Sequence, residues 1–140
     1  MQKGHISEYK AKIKAPIDMV WDALTKPELV KQYLFGSNLE TSWIIGEEIC
    51  WTGEFNGQVF KDKGFILEFE PKVKLVYSYL SSWSGLEDIP ENYLFVKNEV
   101  TEKDGVTELI ITQSNYDEEK AIHSKKNWEI VVNELRKILE

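Results

Sequence analysis

Asn98 and Gln113 are the residues of this chain whose type and position most need a chemical explanation. They lie in two stretches of alternating apolar residues, 93–102 and 106–113, on either side of Asp104-Gly105. Asp-Gly favours the positive backbone torsions of a two-residue hairpin turn. That turn sets Val100 opposite Leu109, Asn98 opposite Ile111 and Val96 opposite Gln113, all on one face. The face is apolar except for the two amides. A buried amide without a partner costs about 1–3 kcal/mol. The pair is therefore expected to bond to each other or to buried water, or else to orient the polar end of a bound molecule. Glu68, between Leu67 and Phe69, joins them if its face points inward.

Other chemistry is sparsely represented. With two histidines and one cysteine, the chain has no His-x-x-x-His, Cys-x-x-Cys or Asp-rich loop that would gather ligands around a metal. It has no Gly-x-Ser-x-Gly and no glycine-rich phosphate loop. Glu47-Glu48 and Glu118-Glu119 sit at a turn and a helix start, where solvent and the helix dipole account for them. His123 lies about 140° round a helix from Trp128, facing outward or along a flank. Cys50, between Ile49 and Trp51, reads as a buried structural thiol with no disulfide partner. No cofactor is expected.

A net charge of -7, with no basic run longer than two residues, argues against a nucleic-acid surface. No apolar stretch approaches the roughly 18 residues that span a bilayer, and the first eight residues lack an apolar leader. A cytoplasmic chain without membrane attachment is expected. With 42% hydrophobic and 29% charged residues over 140 positions, one domain with its own core is expected.

The elements that would position these residues follow from periodicity. Ile6 to Lys14 alternates as a strand, with Tyr9, Ala11 and Ile13 on the dry side. Pro16 suits a first helical turn, and Met19, Val20, Ala23 and Leu24 recur at helical spacing. Thr25 can cap a second short helix carrying Pro27 in its first turn, then Leu29, Val30, Tyr33 and Leu34, with Gly36 as its stop. Ile45-Gly46-Glu47, Asn56-Gly57 and Asp104-Gly105 mark hairpins. Further strands cover Gly64 to Glu70 and Leu75 to Leu80. The connection from Ser81 to Pro90 carries Trp83 and Leu86 among small polar residues, as a lid over a cavity mouth would. From Asp117 to Glu140, Trp128, Val131, Val132, Leu135, Ile138 and Leu139 form one helical face, about 33 Å long at 1.5 Å per residue. Asn115 or Asp117 can cap it. The expected fold is α+β: a curved antiparallel sheet of six to seven strands, two short helices after the first, and a long C-terminal helix across the sheet.

Ala15-Pro16 with Val20-Trp21-Asp22-Ala23-Leu24-Thr25, Pro27-Glu28-Leu29, Gly64 to Pro71 followed by Leu75-Val76-Tyr77, and Asn127-Trp128 with Leu135 and Leu139 resemble the START-like helix-grip superfamily (SRPBCC). Within it they are most similar to the AHSA-like family, named for the activator of the heat-shock-protein-90 ATPase. Asn127 stands where the family usually has Gly, and Tyr33 where many members have Trp. The resemblance implies a sheet gripping the C-terminal helix around a cavity that in many relatives takes an apolar small molecule.

The expected function is non-enzymatic binding of an apolar or amphipathic small molecule by a monomer or homodimer. Expected contacts are Tyr33, Trp51, Tyr77, Tyr79, Trp83, Val96, Asn98, Leu109, Ile111, Gln113 and Trp128. The alternatives are a protein-interaction module with a chaperone as partner, and an enzyme of the polyketide cyclase or dehydratase kind. A void of a few hundred Å³ speaks for the ligand, and a filled interior with an exposed apolar patch for a protein partner.

Overall fold

The computed structural model describes residues 4–140. Met1 to Lys3, the start of the stretch expected to lack an apolar leader, lie outside the described residues. The chain runs β1 (His5–Ile13), α1 (Ile17–Thr25), α2 (Pro27–Tyr33), β2 (Asn38–Thr41), β3 (Glu48–Phe55), β4 (Gln58–Glu70), β5 (Lys74–Tyr79), β6 (Leu94–Lys103), β7 (Val106–Asn115) and α3 (Glu118–Leu139). The seven strands form one antiparallel sheet in the order β1-β7-β6-β5-β4-β3-β2. α3 lies against β1, β7 and α2, and its Val131, Val132 and Leu135 are buried. This is the helix-grip arrangement.

The Asp104-Gly105 turn, with φ of 54° and 80°, sets the register its sequence demands. Val100 pairs with Leu109, Asn98 with Ile111 and Val96 with Gln113. At the start of α3 the Asp117 carboxylate accepts the Lys120 amide at 2.8 Å. Asn115 does not cap. It is buried, and its amide donates to the carbonyls of His5 at 3.0 Å and Gln113 at 3.1 Å. Thr25 does not cap α2 either, because its hydroxyl turns back to the Trp21 carbonyl at 2.8 Å. Pro27 does occupy the first turn. The first amide of α1, that of Ile17, is met from β6 by the Glu102 carboxylate at 2.7 Å.

β4 departs from simple alternation. The register shifts between Ile66 and Glu68, so that Ile66 pairs with Tyr77 while Phe69 pairs with Leu75. An extra residue of this kind turns the following side chains over. Ile66 is buried, and Phe69 beyond the bulge packs on the core as well. Glu68 is thereby sent outward, where Lys74 holds it at 2.8 Å. The inward placement considered for it does not occur. Just before the bulge, Gly64 passes so close to β5 that a Cβ there would fall 1.6 Å from the Ser78 carbonyl oxygen.

The connection after β5 is tied down along its length. Asp62 accepts the Tyr79 hydroxyl at 2.6 Å and the Ser82 amide at 2.9 Å. Lys63 pairs with Asp88 at 2.5 Å. Trp83 rests on Phe60, ring centroids 5.6 Å apart.

Candidate functional site

Between the sheet and α3 lies a cavity of about 40 Å³. That is room for about two or three water molecules. Its floor comes from alternating positions on the sheet: Ile49 and Trp51 of β3, Leu75 and Tyr77 of β5, Asn98 of β6, and Leu109 and Ile111 of β7. Its roof is the α3 stripe Trp128, Val131, Val132 and Leu135. α1 and α2 add Leu24, Val30, Tyr33 and Leu34, and Leu39 and Trp43 complete it. Leu24, Leu34, Trp43 and Trp128 are only half-buried and form the side open towards solvent.

The lining contains no Asp, Glu, Lys, Arg or His. Its polar atoms belong to six side chains, and three of these are satisfied elsewhere. The Tyr33 hydroxyl donates to the Ala23 carbonyl at 2.8 Å. The Trp43 indole N–H donates to the Thr25 carbonyl at 3.1 Å, with its ring stacked on Phe69 at 5.2 Å. The Trp128 indole N–H donates to Gln113 Oε1 at 2.7 Å.

The other three are Trp51, Tyr77 and Asn98. Their side chains make no hydrogen bond to any described residue, although they are only 6%, 8% and 6% exposed. No fully enclosed side-chain polar atom among the described residues lacks a partner. The free polar atoms of these three therefore keep some accessible surface, and all three residues line the cavity. The rings of Trp51 and Tyr77 meet at 4.9 Å. Tyr77 and Asn98 are diagonal neighbours on β5 and β6, opposite Val96 and Leu75 respectively. Burial raises the Tyr77 hydroxyl well above its ordinary pKa. It raises Tyr33 too, with the nearby Tyr77 adding to the effect. Both phenols stay neutral across the physiological range.

Seven of the eleven residues expected from the sequence share this cavity: Tyr33, Trp51, Tyr77, Asn98, Leu109, Ile111 and Trp128. The other four lie off it. Tyr79 faces Asp62, Val96 is buried in the core beside the cavity, and Trp83 sits on Phe60 outside the lining. The 81–90 connection thus reaches β4 and does not close the mouth. Gln113 and Asn98 are not bonded to each other. The Gln113 amide donates to Asn115 Oδ1 at 3.2 Å while its carbonyl holds Trp128. Trp43, not among the residues expected from the sequence, lies in the connection between β2 and β3. The signal available was a large aromatic in an otherwise exposed loop.

A family model described as Activator of Hsp90 ATPase homolog 1-like protein matches residues 14–140. The chain belongs to this family. A Cytophaga hutchinsonii protein of known solution structure is 38% identical, with 99% of this chain and 96% of that one covered and a TM-score of 0.84. The Aha1 dimer of Colwellia psychrerythraea superposes at a TM-score of 0.74, with 18% identity and 96% of each chain covered. CalU16 of Micromonospora echinospora does so at 0.74, with 18% identity over 96% of this chain and 83% of the other. The last two likenesses concern the fold. No curated protein matches. The family's helix-grip fold is thus shared by the whole described chain, and no helix among the described residues is long and apolar enough to cross a membrane.

Proposed function

We propose that this AHSA1-like chain binds an apolar or amphipathic small molecule in the cavity between the sheet and α3. The observation that carries this reading is the pairing of an apolar wall with three polar side chains that have no protein partner there. Ligand pockets combine an apolar lining with a few convergent polar groups in the same way. Burial of ligand surface would supply the affinity, at about 25 cal/mol per Å². At about 40 Å³ the free cavity is far below the roughly 300 Å³ at which small-molecule pockets begin. An organic ligand would therefore enter by displacing the half-exposed Trp43, Leu34 and Trp128. Without an acid–base pair in the lining, binding is favoured over catalysis there. The proposal includes a cytoplasmic setting, supported by the single buried, free Cys50.

The test is a titration of isotope-labelled protein with naphthalene, followed by amide and indole shifts. Saturable changes at Trp43, Asn98, Ile111 and Trp128 are expected. Their absence up to the solubility limit overturns the reading.

The small cavity volume favours a second reading, a protein-interaction module. Phe35 and Phe55 are 49% and 45% exposed and meet edge to face at 6.1 Å, with Val59 exposed on the same β3–β4 hairpin. A chaperone or a second copy of the chain would be the partner. Concentration-dependent sedimentation, sensitive to Phe55→Ser, is the expected result if a second copy docks there.

A further inference from the structure

Trp51, Tyr77 and Asn98 are the cavity-lining polar side chains left without a protein partner, and they come from the sheet side. Opposite them the lining from α3 is Val131, Val132 and Leu135, with Trp128 committed to Gln113. The free polar groups of the lining thus all come from the sheet side, interspersed with Ile49, Leu75, Leu109 and Ile111. They offer an indole N–H, a phenolic O–H and an amide NH₂, with the amide carbonyl and phenolic oxygen as acceptors. Donors in this majority fit an acceptor oxygen.

No charged side chain lines the cavity. An ion entering it would lose its hydration without gaining a counter-charge, which strongly disfavours the charged form. We infer that the ligand is an uncharged amphipathic molecule whose ketone, ester, ether or hydroxyl oxygen is held by Asn98, Tyr77 and Trp51, and that ionised carboxylates of the same length are rejected. This rests on the cavity-binding reading above and specifies its ligand class.

The chemistry also explains the roles of the neighbouring polar groups. Tyr33, Trp43 and Trp128 spend their donors on Ala23, Thr25 and Gln113. Those bonds fix the walls. Trp51 packs against both Tyr77 and Tyr79 at 4.9 and 5.5 Å, so the indole and phenol donors are positioned before a ligand arrives. Because burial keeps the Tyr77 phenol protonated, it remains a donor at any pH the protein meets.

The test compares three probes at pH 8 by isothermal or NMR titration: naphthalene, 2-undecanone and decanoate. The ketone is expected to bind at least tenfold more tightly than decanoate. Asn98→Leu and Tyr77→Phe, each removing one hydrogen bond, are expected to weaken the ketone about two- to tenfold more than they change naphthalene, which makes no hydrogen bond. Equal affinity for ketone and decanoate overturns the inference while leaving cavity binding intact. So does a ketone affinity that ignores both substitutions, which would mean that these groups are occupied by water alone. Failure of naphthalene and ketone alike to bind at the cavity overturns both readings together. Circular dichroism and the urea midpoint of each variant check that it is folded.

Discussion

The indole N–H of Trp128 on α3 donates to the side-chain carbonyl of Gln113 on β7 at 2.7 Å, and the Gln113 amide in turn donates to Asn115 at 3.2 Å. Asn115 is anchored to the His5 carbonyl on β1 at 3.0 Å, and Ser7 on β1 meets Ser124 on α3 at 2.8 Å. A polar chain therefore seals the helix to the sheet beside an apolar cavity. Buried networks of this kind hold one arrangement when every member is satisfied.

Replacing Gln113 with Met should cost about 1–3 kcal/mol, because it leaves the Trp128 N–H and Asn115 oxygen without their partner. Trp128→Ala should cost about 3 kcal/mol, the low end for large aromatics because the ring is only half-buried. Urea denaturation measures both. A neutral Gln113→Met would mean that water replaces the amide freely.

Gly64 makes a sharper structural prediction. A Cβ at this position would overlap the Ser78 carbonyl at 1.6 Å, and the obstacle is backbone that cannot swing aside. Gly64→Ala should lower stability by several kcal/mol, in the range reserved for a few mechanisms such as overpacking. An alanine variant within about 0.5 kcal/mol of the parent would show that β4 and β5 can separate there.

The fold was legible because its signals are local. Asp104-Gly105 fixes a register, and the spacing of Val131, Val132 and Leu135 fixes a helix face. Asn98 was placed inside for that reason. The fate of Glu68 was hidden because a bulge leaves no mark in composition, and a single added residue reverses the side chains after it. Trp83 was misplaced for a related reason: an apolar residue in a polar connection shows that something is covered, but not which strand. Only the tertiary path shows Phe60 beneath it. Gln113 pointed inward as expected, yet its partner comes from a helix, and no strand pattern encodes that.

The connection after β5 should loosen in acid. Hydrogen bonds from Lys63 and then Tyr93 hold the Asp88 carboxyl below its ordinary pKa, and burial pushes the Tyr93 hydroxyl up to about 12. A carboxyl depressed in the folded state stabilises above its unfolded pKa, and that contribution fades as pH falls through the folded value. Amide protection at Ile89 and Tyr93, corrected for intrinsic exchange, should therefore hold at pH 5 and drop below about pH 4. Asp88→Asn should show the lower protection already at pH 5. The same acid profile in that variant would assign the loosening to another carboxylate.

Asn98 supplies the last prediction. Its amide is 6% exposed and bonded to no described residue, whereas Ile111 opposite and Leu75 beside it are apolar. Removing a buried polar group that has no partner orphans nothing, so Asn98→Leu should leave stability unchanged or raise it by about 1 kcal/mol. Asn98→Ala should instead lower it, since it enlarges the cavity without adding apolar contact. A lower stability for the alanine variant than for the leucine variant in urea denaturation is the expected result. If leucine costs more than about 1 kcal/mol, the amide is already held by ordered water, and the free protein gains from it. If leucine stabilises, the amide is kept at the expense of the fold, as a group reserved for a ligand would be.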